Sequence, residues 1–216
     1  MTTFAPPVVA WRGQQEDDGP LVVLLHGRGS DETDIITLAE HLPEGLTYAA
    51  VRAPIAEGGG YAWFANRGIG RPIAESLTET MAWFRTWLDD RATAGRPVVL
   101  IGFSGGAAFA GGLALHDPAR YRGAAILSGT LPFNAGVPTT PGRLTGLPVL
   151  VAHGDADTVI PADLLARTWT YLDGEAGSTT TGVRDPGGHG ISAAVLGELQ
   201  RWLHDLTATT EGPLTR

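Results

Sequence analysis

Residues 97–106, Pro-Val-Val-Leu-Ile-Gly-Phe-Ser-Gly-Gly, constrain this chain more than any other segment. A short apolar, β-branched run from Pro97 to Ile101 leads into a glycine-caged serine, and the small residues from Ala107 to Leu115 follow as a helix. Ser104 is thereby expected on a sharp strand-to-helix turn, the setting in which a G-x-S-x-G motif presents a nucleophile. Such a turn forces the serine backbone into an uncommon conformation, and side chains two residues to either side would collide. Gly102 and Gly106 remove them. The bland alternative is a tight glycine turn with an ordinary serine, since 30 of the 216 residues are glycine.

The elements on either side predict the architecture. Val8 to Arg12 and Leu21 to Leu25 read as strands separated by a polar turn containing Glu16, Asp17, Asp18, Gly19 and Pro20. A helix is expected from Asp31 to Leu42, capped by Ser30 or Asp31, with Ile35, Leu38, Ala39 and Leu42 on one face. Thr47 to Arg52 is a third strand, and the Gly/Pro-rich segment from Pro54 to Pro72 reads as irregular. The helix from Glu75 to Ala94 buries Leu77, Met81, Phe84 and Leu88, with Trp83 and Trp87 widening that stripe. Strands at Ala124 to Leu127 and Pro148 to Ala152, a helix at Ala162 to Leu172, a weak strand near Thr180 to Arg184 and a helix at Ile191 to Leu206 complete the pattern. Strands alternating with helices of this length predict a mostly parallel sheet with helices on both faces. One domain is expected over residues 1–206, with a loose tail from Thr207 to Arg216.

Composition narrows the chemistry. The chain has no cysteine and no lysine, so thiolate nucleophiles, disulfides, Schiff bases and Ser–Lys pairs are all excluded. A net charge of −8, with arginines scattered along the chain, argues against nucleic acid as a partner. No apolar run approaches the roughly 18 residues of a membrane span, and Met1 to Arg12 lacks the basic and apolar regions of a secretory signal. A cytoplasmic location is expected.

In parallel sheets, chemistry gathers where strands end. Three loops at such ends carry reactive groups. His26-Gly27-Arg28-Gly29 lets backbone approach closely, so the amides of Arg28 and Gly105 are candidates for an oxyanion hole. His26 itself reads as a brace for its loop. His153-Gly154-Asp155-Ala156-Asp157 offers two candidate acids, with Asp185 as an outsider. Gly187-Gly188-His189-Gly190 places a histidine between glycines, outside any helical stripe, where it suits a general base for Ser104. His41 and His116 lie near helix ends and His204 on the last helix, where ordinary roles suffice. No second histidine stands at ligand spacing from His153, so no metal is expected, and attack by a base-activated serine would need no cofactor.

Together these residues give the chain a resemblance to the α/β-hydrolase fold, and within it to the phospholipase/carboxylesterase family of acyl-protein thioesterases and small bacterial carboxylesterases. The resemblance runs from Leu21 to about Leu206. It rests on Leu-Leu-His-Gly-Arg-Gly at 24–29, Trp63-Phe64, Gly-Phe-Ser-Gly-Gly at 102–106, His-Gly-Asp-Ala-Asp-Thr-Val-Ile-Pro at 153–161 and Gly-Gly-His-Gly at 187–190. It implies a triad of Ser104, Asp157 and His189, a structural role for Asp155, and no separate cap domain. It also implies a substrate groove bordered by residues 54–72 and 128–146, with Trp63, Leu131, Phe133 and Val159 as candidate lining. Arg28, Arg67 and Arg71 could greet an anionic substrate, although loop arginines are ordinarily just solvated. The chain departs from the family where glutamine commonly follows the nucleophile, for here that residue is Gly105.

The implied activity is hydrolysis of small or medium carboxylic esters through an acyl-enzyme, by a monomer or homodimer. Thioesterase or lysophospholipase action would use the same scaffold, and a ligand-binding sensor without turnover is the rival from another class.

Overall fold

The computed structural model describes residues 4–15, 18–92 and 95–208. Its framework is a seven-stranded sheet in the order β1-β3-β2-β6-β7-β8-β9. The strands are β1 (Val9–Arg12), β2 (Leu21–Leu25), β3 (Thr47–Val51), β6 (Val98–Phe103), β7 (Gly123–Leu127), β8 (Pro148–Gly154) and β9 (Thr179–Asp185). Only β1 runs antiparallel, against β3; every other neighbouring pair is parallel. All five residues of β2, Leu-Val-Val-Leu-Leu, are fully buried, because a central parallel strand is covered on both faces.

Alternate residues of that strand feed two cores. Leu21, Val23 and Leu25 point to a layer formed by α2 (Ala74–Arg91) and α3 (Gly105–His116), with Leu77, Met81, Phe84 and Phe109 at its centre. Val22 and Leu24 point to the opposite layer, where α5 (Ala193–Ala208) supplies Val195, Leu199, Trp202 and Leu203. The mostly parallel sheet with helices on both faces, expected from the alternating pattern, is therefore the one observed, and it is the architecture that the α/β-hydrolase resemblance implied. Trp87 is buried with the α2 stripe and Trp83 packs at its edge.

Four local readings need correction. The helix expected from Asp31 to Leu42 is one α-turn, α1 (Glu32–Ile35), followed by a tighter 3₁₀ segment at Ile36–His41. Asp31 does cap it, accepting from the amides of Thr33 and Asp34. The run Ile35-Ile36-Thr37 is wholly β-branched, and Thr37 Oγ1 donates back to the Asp34 carbonyl at 2.6 Å, which competes with regular α-helical bonding.

The segment 54–72 is not wholly irregular: β4 (Ile55–Glu57) and β5 (Gly60–Ala62) pair as a hairpin. Gly58 and Gly59 turn its corner at φ of 59° and 87°, the left-handed values that a two-residue hairpin turn requires.

The helix begun at Ala162 is α4 (Ala162–Thr170), with a wider turn at Tyr171–Glu175 beyond it. Helix α5 carries Thr207 and Ala208 past the expected end, and Thr207 Oγ1 donates to the Leu203 carbonyl at 2.8 Å. Residues 209–216, the rest of the expected tail, lie outside the described residues, as do Glu16, Asp17, Thr93 and Ala94. Among the described residues no helix is long and apolar enough to cross a membrane.

Candidate active site

The site is assembled where β2, β6, β8 and β9 end. At the end of β6, Ser104 adopts φ 53° and ψ −113°, a backbone geometry that side chains other than glycine rarely take. Its own amide donates to the Leu127 carbonyl at 2.9 Å, and its carbonyl accepts from Ala107 and Ala108 at 3.1 and 3.3 Å. The turn closes only because its flanks lack side chains. A Cβ on Gly102 would stand 2.2 Å from the Gly106 carbonyl oxygen, and one on Gly106 would stand 2.1 Å from that of Leu25.

Two further loops are laced together beside it. Asp155 and Ala156 donate their amides to the carbonyls of Asp185 and Gly187 at 2.7 and 2.9 Å. Asp185 takes the Gly187 amide and the Ser192 hydroxyl, each at 2.6 Å, while Ser128 Oγ donates to the Gly190 carbonyl at 2.9 Å. These bonds hold the glycine-rich loop around His189. Asp185 thus shapes the loop and leaves the imidazole to another acid. That acid is Asp157: its Oδ2 lies 2.9 Å from His189 Nδ1, and its Oδ1 accepts from Val159 and Ile160 at 2.8 and 3.0 Å.

The side chain of Asp157 is fully enclosed. Burial alone would push its carboxyl upward, but the His189 bond and the two amides outweigh it and hold the group below the ordinary carboxylate value. Asp157 is therefore an acceptor, so His189 donates through Nδ1 and keeps the lone pair of Nε2 for Ser104 Oγ, 2.9 Å away. Asp155, by contrast, is an exposed partner of Arg184 at 2.7 Å.

The loop after β2 passes over the start of α3. A Cβ on Gly105 would come within 3.2 Å of the Arg28 nitrogen, so the backbones of these two residues meet next to Ser104. Among the described residues neither amide gives its hydrogen to another group. Beneath this loop His26 is fully buried, and burial lowers its pKa. Its Nδ1 donates to the Gly27 carbonyl at 2.7 Å and its Nε2 accepts from Ala53 at 3.1 Å. The Trp63 indole nitrogen in turn donates to the His26 carbonyl at 2.8 Å. His26 is the brace that its sequence setting suggests.

Ser104, His189, Gly105 and Arg28 all open onto one cavity of about 330 Å³. A model of the phospholipase/carboxylesterase family matches residues 8–206. The chain belongs to the phospholipase/carboxylesterase family. A carboxylesterase of Bacillus cereus superposes with a TM-score of 0.82 at 23% identity, covering 94% of this chain and 95% of its own. One from Mesorhizobium loti superposes at 0.76 and 28% identity, covering 88% and 90%. The protein MhqD of Bacillus subtilis (strain 168) is 24% identical over 187 residues, 84% of this chain and 91% of MhqD.

As a member of this family the chain is a hydrolase, and its cavity walls are mostly apolar. Of the four candidate lining residues, Trp63, Leu131 and Val159 stand on this cavity's wall. Phe133 does not. It is buried beside Tyr171, at right angles with 6.1 Å between ring centres, and the Arg167 guanidinium covers its face at 3.9 Å. Arg67 and Arg71 also lie off the cavity wall, and both are exposed. Asn66, Ile69 and Thr130, from the two segments that the resemblance sets along the groove, and Ile160, from the motif at 153–161, complete the wall without having been singled out individually. Ile160 follows Asp157 by three positions and was within reach of a loop argument; Asn66 and Thr130 carry no local signal. Among the described residues no three His, Asp or Glu side chains converge as a metal-binding group.

Proposed function

We propose that this hydrolase cleaves carboxylic esters of small or medium acyl groups, with Ser104 as nucleophile, His189 as general base and acid, and Asp157 orienting the imidazole. What carries the reading is the hydrogen-bonded run Ser104–His189–Asp157, with 2.9 Å at each step, opening onto a mostly apolar cavity.

The chemistry follows from the geometry. His189 Nε2 takes the hydroxyl proton as Ser104 Oγ bonds to the ester carbonyl carbon, and buried Asp157 stabilises the imidazolium that forms. The carbonyl oxygen gains negative charge, and the Arg28 and Gly105 amides donate hydrogen bonds to it. The imidazolium returns its proton to the leaving alkoxide as the ester C–O bond breaks. Water then repeats the sequence on the acyl-enzyme, with His189 again as base, and releases the acid.

The test is steady-state hydrolysis of a p-nitrophenyl ester ladder from acetate to laurate, with Ser104→Ala beside the wild type and a fluorophosphonate label to identify the nucleophile. Turnover that peaks at short or medium chains, vanishes in the variant and coincides with labelling of Ser104 is expected. Full activity in Ser104→Ala would sink the assignment.

A further inference from the structure

Arg28 is the one residue on the cavity wall with a permanently charged side chain among the described residues, and its charge is already spoken for. Its Nε donates to Glu57 Oε1 at 2.6 Å, its Nη2 to Glu57 Oε2, and its Nη1 to the Phe64 carbonyl at 3.0 Å. The planar fork of the guanidinium and both carboxylate oxygens are matched edge to edge, the strong form of this pair.

Glu57 does not arrive there by chance of rotamer. It ends β4, beside the Gly58-Gly59 turn, and the hairpin is fastened to the Arg28 loop from the other side. Gly29 donates to the Tyr61 carbonyl at 2.9 Å and Tyr61 to that of Ser30 at 3.0 Å. A Cβ on Gly60 would lie 2.0 Å from the Gly29 carbonyl oxygen, so the two segments touch backbone to backbone. Glu57 itself stands off the cavity wall.

We propose that Glu57 sets the charge class of the substrate. By neutralising Arg28 it leaves the cavity without a free cation, so the site takes uncharged esters and discriminates against those bearing a carboxylate. Removing the Glu57 charge would leave Arg28 anchored at Phe64, with the edge of its fork open to an anionic group. This inference rests on the esterase reading above.

The experiment compares kcat/KM for matched ester pairs in wild type, Glu57→Gln and Glu57→Ala. One pair carries its carboxylate on the acyl side (the mono-p-nitrophenyl ester of adipic acid against its monoamide). The other carries it on the alcohol side (para-carboxyphenyl butyrate against para-carbamoylphenyl butyrate). Wild type is expected to favour the carboxamide of each pair. In both variants that preference should shrink about tenfold for at least one pair, the size of one charge-assisted hydrogen bond. The shrinkage itself should fade as salt is raised, because a half-exposed guanidinium is screened.

A merely structural role for Glu57 would slow both members of a pair alike and leave their ratio alone. A ratio that moves less than about twofold in both variants, where a gained charge contact should exceed that, overturns the proposal. So does a wild type that takes carboxylate and carboxamide equally. Absence of any Ser104-dependent hydrolysis of the carboxamide esters is a different result: it removes the esterase reading, and the proposal with it.

Discussion

The backbone at Ser104 offers a measurement that separates strain from chemistry. At φ 53° and ψ −113° the residue sits where a Cβ crowds its own backbone, and such positions cost about 1–3 kcal/mol. The conformation cannot relax, because its peptide groups are pinned on both sides: the amide to Leu127, the carbonyl to Ala107 and Ala108. Ser104→Ala and Ser104→Gly both delete Oγ and its bond to His189, so their difference isolates the Cβ. Glycine recovers the strain but gives back about 0.4–1 kcal/mol through its freer unfolded chain. A half-buried methyl lost with it subtracts a few tenths more. At the middle of these ranges the balance is about 1 kcal/mol in favour of Ser104→Gly. For a chain of this length that corresponds to a melting temperature about 2–4 °C above that of Ser104→Ala. Differential scanning calorimetry of the two variants at neutral pH reads it directly. A glycine variant that melts at or below the alanine variant would refute the claim that the elbow stores strain.

Two further outcomes follow from the same geometry. Asp157→Asn keeps the shape but leaves one acceptor where the Val159 and Ile160 amides and the His189 Nδ1–H need two, so kcat on the preferred ester should fall about a thousand- to ten-thousand-fold; a loss under about tenfold would remove Asp157 from the triad. Stability should decline as pH drops below 6.5, because burial holds His26, His116 and His153 below that value in the folded chain. The unfolded chain then takes up protons first, and the stability present above 6.5 is lost as pH falls through the folded values, whereas Asp157 and Asp185 add a loss only below 3.8. Thermal melts that do not change between neutral pH and the onset of carboxylate protonation would contradict this order.

Much of the fold and the candidate triad was legible because the relevant constraints are local in the chain. A central parallel strand such as Leu21–Leu25 is a continuous apolar run, and its ends are marked by the polar and glycine residues that flank it. β9 was fainter: it lies at the sheet edge, where Thr179–Asp185 has no fully buried residue. The elbow could be read from five residues because it is a backbone problem. Where main chain must touch main chain, only glycine fits, and Gly102, Gly106, Gly154 and Gly60 each stand within about the same 2.0–2.2 Å of a carbonyl oxygen once a Cβ is added. Those contacts write themselves into the sequence.

Side-chain direction in long loops does not. Phe133 sits in the loop between β7 and β8 where a groove residue was sensible, yet Tyr171 and Arg167, more than thirty positions away, draw it off the cavity. The pairing of Arg28 with Glu57 is the sharper case. A chain with 15 arginines and 23 acids allows hundreds of such pairs, and no spacing rule operates across two loops. Gly58-Gly59 turn the hairpin that delivers Glu57 inside a segment that reads as irregular, and Gly60, lacking a Cβ, lets that hairpin touch the Gly29 carbonyl. Glycine in this chain therefore marks which loops meet, and the charges that meet with them are what the structure adds. If Glu57 governs substrate charge, specificity here was written in the part of the sequence that local rules cannot decode, while the catalytic framework was written in the part they can.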